Sequence, residues 1–166
     1  PKAMLGCREY KDRNGESSFA YRFTRLCRAE SIGCTGFVDT RNSESPYADK
    51  IIRLGWIKTE DIVCLMNAAE VFVFPSLHEG FGLPVLEAMA CGTPIVASRG
   101  SGAEELAGDV CVYVDSGDVW SITQGITEIL KNDELRNANI KKGLEKAQNF
   151  SWEKCAENTY ELLMEL

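Results

Sequence analysis

Residues 71–98 read VFVFPSLHEGFGLPVLEAMACGTPIVAS, and no other stretch of the chain restricts the fold as tightly. A short β-branched and aromatic run over residues 71–74 predicts a fully buried strand, which Pro75 ends. Residues 76–82 form a loop. Pro84 then opens a helix over residues 84–90, because proline in a first helical turn lacks only an N–H that would be unbonded anyway. Gly92 stops that helix, and residues 95–97 predict a second buried strand. Strand, loop, helix, strand within so few residues is the unit of a parallel sheet.

The rest of the chain from residue 51 onward continues the alternation and predicts an α/β fold, a Rossmann-like doubly wound parallel sheet flanked by helices. Residues 51–54 read as a strand. Thr59 is placed to cap a helix over residues 60–69, with Glu60 and Asp61 favourably set in its first turn. After the strand at 95–97, a glycine-serine loop over 98–102 leads into a short helix at 103–106. Residues 111–114 read as a strand, and Asp118 as the cap of a helix that runs through Leu130. Further helices are expected over residues 133–149 and, capped by Ser151, over 152–166. Trp152, Tyr160, Leu162, Leu163 and Met164 on the last helix are expected to pack on this domain's own sheet, or against a second domain.

The 166 residues, 45% of them hydrophobic, suffice for one domain with its own core, taken as 1–166. No apolar run reaches the eighteen or so residues that cross a bilayer, and no basic start leads into a hydrophobic signal core. A soluble, cytoplasmic protein is expected. The formal net charge of -7 argues against nucleic acid or an anionic membrane as the main partner.

Seven cysteines are scattered without a C-x-x-C pair, and the single histidine cannot complete a zinc cluster, so reduced structural thiols and no metal site are expected. Cys64 and Cys91 lie in apolar helical sequence and read as small core residues. His78 reads as a hydrogen-bonding or packing residue of the loop rather than a general base.

The chemistry concentrates where the first strand meets its helix. Gly80 and Gly82 lack a Cβ and let a ligand approach the main chain, while the helix start behind them presents unpaired N–H groups and partial positive charge. That combination suits a diphosphate. Glu79 and Glu87 cannot face the same phosphates, since a carboxylate ~5 Å from a phosphate repels it by roughly 3 kcal/mol at an effective dielectric near 20. Each is instead suited to hold sugar hydroxyls, because an ionised carboxylate is acceptor-only and can take two vicinal hydroxyls at once. Glu87, one turn into the helix, is assigned the ribose of a nucleotide and Glu79 the sugar attached to it. Taken alone, Glu79 reads more simply as a solvated loop charge and Glu87 as a complement to the helix dipole, worth ~0.3–1 kcal/mol.

The E-x7-E pair in its setting, PSLHEGFGLPVLEAMACGTPIVAS, resembles the retaining glycosyltransferases of the GT-B fold, the large family 4. The resemblance implies one half of a GT-B fold, the C-terminal domain that binds a UDP-, GDP- or ADP-sugar donor. It implies transfer of a hexosyl unit to an acceptor hydroxyl with retention. It gives Glu87 the donor ribose and Glu79 the donor sugar close to the reacting carbon, with Gly80, Phe81, Gly82 and Leu83 lining sugar and diphosphate. Ser101 and Gly102, which follow a buried strand and precede a helix, are a second candidate phosphate contact, equally readable as an ordinary connection. Metal and cofactor are not expected.

Residues 1–50 depart from the pattern, whereas 51–166 match it well. The family's donor domain opens with a buried strand, a glycine, and an arginine and lysine that neutralise the diphosphate. Only Gly6, Arg8 and Lys11 echo this, with the basic pair closer together. The first segment carries nine Lys or Arg against seven Asp or Glu, net +2, and the remainder nine against eighteen, net -9. A divergent first βαβ unit and an altered form of the usual sequence both remain open. The acceptor-binding N-terminal domain that the family requires is not recognised in the chain. It is therefore expected as a partner, in a longer protein or a separate subunit, and any peripheral membrane association would run through it. A noncatalytic nucleotide-sugar-binding subunit is the alternative function. A dinucleotide site is disfavoured, because no G-x-G-x-x-G follows a strand.

Overall fold

The computed structural model describes residue 54 and residues 56–165, in which helices and strands alternate up to a run of three helices at the end. The elements are α1 (Thr59–Ala68), β1 (Phe72–Phe74), α2 (Leu83–Ala90), β2 (Ile95–Ser98), α3 (Gly102–Ala107), β3 (Val112–Val114), α4 (Val119–Lys131), α5 (Asp133–Ala147) and α6 (Trp152–Met164). A 3-10 turn, Gly108–Val110, links α3 to β3.

The three strands lie in the order β1-β2-β3, all parallel, with Phe72 opposite Ile95 and Val96 opposite Val112. Strand side chains alternate between faces, and both faces are apolar, which explains why these strands read as continuous hydrophobic runs. One face carries Phe72, Ile95 and Ala97 into a core with Met66 of α1, Val85, Ala88 and Met89 of α2, and Ala103, Leu106 and Ala107 of α3. The other sends Val96 and Val114 against Ile129 of α4, with Val73, Val112, Ile122 and Ile126 packed around them. Helices therefore cover both sides, the doubly wound arrangement expected from the sequence. Close approach of α4 depends on Gly125, where a Cβ would stand 2.5 Å from a Val114 methyl.

Several local expectations change. Thr59 is the first residue of α1 rather than its cap: the N–H groups of Asp61 and Ile62 both donate to the Lys58 carbonyl, so the helix starts one residue earlier. Cys64 is exposed, not a core residue, because α1 turns Ile62 and Met66, four apart, toward the core and the position between them outward. Cys91 sits half-buried against the first core, and among the described residues the buried thiol is Cys111. The fifth helix closes at Ala147, where the Asn149 and Phe150 N–H groups reach back only three residues, to Lys146 and Ala147. The last helix does not pack on the described sheet. None of its residues is buried, and Trp152, Tyr160, Leu162, Leu163 and Met164 are all exposed.

Asp118 and Ser151 cap as expected, accepting from the N–H groups of Trp120 and Lys154. Asn132 does the same for α5 through Leu135. The strand expected at 51–54 falls outside the described residues except for Leu54, as do all features of 1–50. No helix among the described residues is long and apolar enough to cross a membrane.

Candidate functional site

Parallel strands all present their carboxyl ends at one edge of the sheet, and ligands of open α/β sheets bind outside that edge. Three loops converge there: 75–82 after β1, 99–101 after β2 and 115–118 after β3. The first two carry every described residue that the sequence reading assigned to a site except Glu87, Leu83 and Gly102, which lie on the adjoining helices.

Gly82 occupies the N-cap of α2 with φ 89 and ψ 46, a left-handed conformation that L side chains rarely adopt. Pro84 follows within the first turn, and Val85 and Leu86 donate back to the Gly82 carbonyl at 2.8 and 3.3 Å. The main-chain N–H groups of Gly80, Phe81 and Leu83 make no hydrogen bond among the described residues. They stand at the positive end of the helix, and so are the donors an anion would find. Val85, Ala88 and Met89 bury one side of α2, which leaves Glu87 on the exposed side, one turn from Gly82.

Glu79 is held at two points, one of them braced in turn by a buried serine. Its carbonyl accepts the Gly102 N–H at 3.0 Å. The Ser76 hydroxyl lies 3.1 Å from its Oε1 and 3.2 Å from the His78 carbonyl, so one proton serves either acceptor. The Ser76 carbonyl in turn accepts from the hydroxyl of Ser98, a side chain only 1% exposed at the end of β2. Glu79 itself is partly buried, whereas neighbouring His78 faces solvent.

The glycine-serine loop after β2 is the wall behind this loop. A Cβ at Gly102 would meet the Gly80 carbonyl oxygen at 2.5 Å and that of Glu79 at 2.7 Å, and one at Gly82 would stand 3.1 Å from Ala103. The donors of this wall are largely spent inward. Ser101, buried, donates its hydroxyl to the Ser98 carbonyl at 3.2 Å, and the Gly100 N–H donates to Glu104 Oε2 at 2.6 Å. Arg99, a cation beside the site, lies 4.0 Å from Glu104 and stacks 6.0 Å from the centre of the Tyr113 ring.

The structure therefore brings Glu79, Gly80, Phe81, Gly82, Ser101 and Gly102 into one interlocked pair of loops, with Leu83 and Glu87 on the helix they feed. Arg8 and Lys11 lie outside the described residues. Sequence reading missed Ser76 and Ser98, because a hydrogen bond from the end of β2 to the loop after β1 carries no spacing signal. It also missed Phe150, whose ring packs edge-on against Phe81 at 6.2 Å. Among the described residues no group of three or more His, Cys, Asp or Glu is placed to hold a metal ion.

The chain is similar to known proteins. Residues 41–146, more than half of the chain, match the family described as glycosyl transferases group 1. O-antigen chain mannosyltransferase B of Escherichia coli is 43% identical over 113 residues, which cover 66% of this chain and 30% of that protein. MMP alpha-(1->4)-mannosyltransferase of Mycolicibacterium hassiacum is 37% identical over 121 residues, covering 70% of this chain and 29% of the other. Among solved structures, sucrose-phosphate synthase from Thermosynechococcus elongatus superposes with a TM-score of 0.67 at 31% identity, over 75% of this chain and 33% of that one. The chain thus spans about a third or less of the length of these relatives.

Proposed function

The chain belongs to the group 1 glycosyltransferases, with the Rossmann-like half of a GT-B fold, and from that premise we propose that it is the donor-binding domain of a retaining hexosyltransferase. The observation that carries the reading is the placement of Glu79 and Glu87 on either side of the loop-to-helix junction at the carboxyl edge of a parallel sheet. Unbonded N–H groups lie between them. Both ends of a nucleotide-sugar carry vicinal hydroxyls and its middle carries negative charge, and the junction has the complementary order of acceptor, donor, acceptor.

In this reading Glu87 holds the ribose, Glu79 the transferred sugar, and the main chain of Gly80 to Leu83 the diphosphate. Gly102 and Ser101 form the wall that fixes the loop, with the Ser101 N–H as a further phosphate donor. Arg8 and Lys11 complete the neutralisation. During transfer the bond from the anomeric carbon to the diphosphate oxygen breaks as the acceptor oxygen bonds to that carbon from the same face and passes its proton to the leaving diphosphate. The leaving diphosphate gains charge, which fixed amide dipoles stabilise without having to reorganise. Positive charge develops at the anomeric carbon, where the Glu79 carboxylate is placed to stabilise it and to orient the ring.

The acceptor belongs to an N-terminal domain or partner subunit, and any membrane contact to that same part. A cytoplasmic location fits supply of an activated nucleotide-sugar. The names of the relatives favour a mannosyl donor. The reading is tested by calorimetric titration of the chain with GDP-mannose, UDP-glucose and ADP-glucose. One of them is expected to bind, and at a hundredfold excess over its Kd to stabilise the fold by about 2.7 kcal/mol. Absence of binding across the panel would overturn it.

A further inference from the structure

Phe81 lies between two glycines on the loop that meets the donor, and its own neighbours give its ring nothing to lean on. A Cβ at Gly80 would meet no atom within 4 Å, so that side of the loop is open space. The far side is fixed by Gly82 against Ala103. Between the two, the Phe81 ring meets Phe150 with centroids 6.2 Å apart and planes at 72°, the edge-to-face arrangement that the aromatic quadrupole favours.

Neither ring is part of the core, for 45% of Phe81 and 38% of Phe150 remain exposed. The two differ in how firmly they are mounted. Phe150 sits at the joint between α5 and α6, with its N–H donating to the Ala147 carbonyl at 3.2 Å. The next residue, Ser151, caps α6 by accepting the Lys154 N–H at 3.1 Å. Phe81 rides on the glycine loop, whose N–H groups at Gly80 and Phe81 are unbonded among the described residues. The loop is pinned at Glu79 by Gly102 and at Gly82 by Ala103, and the Phe150 ring is the contact that meets the side chain between those two points.

We propose that Phe150 is a positioning residue for the donor: its ring clamps Phe81 and so holds the main-chain donors of Gly80 and Phe81 in the orientation that binds the sugar-diphosphate. This rests on the donor-site reading above. It also makes the entry to α6 a part of the site, although Phe150 lies at the far end of the described chain from Glu79.

A double-mutant cycle tests it on the full chain. The ligand is whichever of GDP-mannose, UDP-glucose and ADP-glucose binds the parent most tightly, and Kd is read by calorimetry for Phe81→Ala, Phe150→Ala, the double variant and Phe150→Tyr. Phe150→Ala is expected to weaken binding roughly 3- to 10-fold, the range an aromatic pair contributes. The double variant should be no weaker than Phe81→Ala alone, and Phe150→Tyr, which keeps the ring, should bind within about twofold of the parent. Losses that multiply in the double variant, or a Phe150→Ala that binds like the parent, would overturn the clamp while leaving the donor site standing. A parent that binds none of the three ligands would remove the donor site and the clamp with it.

Discussion

The main-chain N–H of Gly102 donates to the carbonyl of Glu79 at 3.0 Å, and Gly102 has no room for any side chain because the Gly80 carbonyl oxygen stands 2.5 Å from where a Cβ would be. The loop after β2 is thus a backing plate for the loop after β1. The obstructing atoms, the Gly80 carbonyl carbon and oxygen and the Glu79 carbonyl oxygen, all belong to the main chain, so none can swing aside as a flexible side chain would.

Gly102→Ala is therefore expected to push the two loops apart and to lower stability by about 1–3 kcal/mol, the usual cost of overpacking. For a domain of this size that corresponds to a fall in Tm of roughly 2–4 °C per kcal/mol. Gly80→Ala is the control, since its Cβ would meet open space and its φ is not positive. Thermal unfolding followed by circular dichroism checks the pair, and similar losses for both would contradict the backing-plate relationship.

The two glutamates should separate in binding. Glu87→Ala, which removes the ribose acceptor, is expected to weaken nucleotide-sugar and free nucleotide alike by roughly 10- to 100-fold, as for loss of hydrogen bonds to a charged group. Glu79→Ala should leave the free nucleotide nearly unaffected and abolish the extra affinity for the sugar-bearing form. Thermal-shift titrations with a nucleotide-sugar and its nucleoside diphosphate distinguish the two. Equal responses from both variants and the parent would end the assignment.

Ser76 is expected to act through Glu79. Its hydroxyl lies 3.1 Å from Oε1, and its carbonyl is held by buried Ser98. Ser76→Ala should loosen the carboxylate without removing it, so the loss in sugar discrimination should fall well short of that for Glu79→Ala. An effect of about 2- to 5-fold is expected, since the pair is partly solvated and such a bond contributes ~1 kcal/mol net. Comparing Kd for nucleotide-sugar and nucleotide in this variant checks it; a change shared equally by both ligands would point to a general loosening of the fold instead.

How far the sequence carried this reading depended on whether a feature is local. The strands at Phe72–Phe74 and Ile95–Ser98, the proline-opened helix between them and the caps at Asp118 and Ser151 are written in neighbouring residues, and all are found where residue types placed them. Cys64 misled because apolar neighbours say only that a helix buries something; which face turns inward was decided by Ile62 and Met66. Trp152 and the apolar residues of α6 misled for the opposite reason, since hydrophobic spacing identifies a face to be covered but not what covers it. In the candidate site, the glycines and glutamates were legible from one continuous motif. The contacts of Ser98 with Ser76, Gly102 with Glu79 and Phe150 with Phe81 join residues far apart in the chain, and no periodicity encodes such meetings.

Cys111 gives the fold an alkaline limit. Burial pushes its thiol up to about 12, against the weaker opposing influences of neighbouring Tyr113 and the charge of Lys146. Tyr113 is shifted upward as well, again chiefly by burial. A thiol whose folded pKa lies above its unfolded value, ~8.5, is protonated in the native state while the unfolded chain has already released its proton. The unfolded state then binds fewer protons, so stability is whole below about pH 8.5 and declines as pH rises toward about 12. Urea unfolding midpoints are expected to fall steadily above pH 9, and Cys111→Ala, though less stable at neutral pH through lost packing, should show a shallower decline. The same burial should shield this thiol from iodoacetamide at pH 8, while exposed Cys155 is alkylated. Peptide mapping of the alkylated native protein checks this, and modification of Cys111 as fast as Cys155 would show that the core around β3 opens readily.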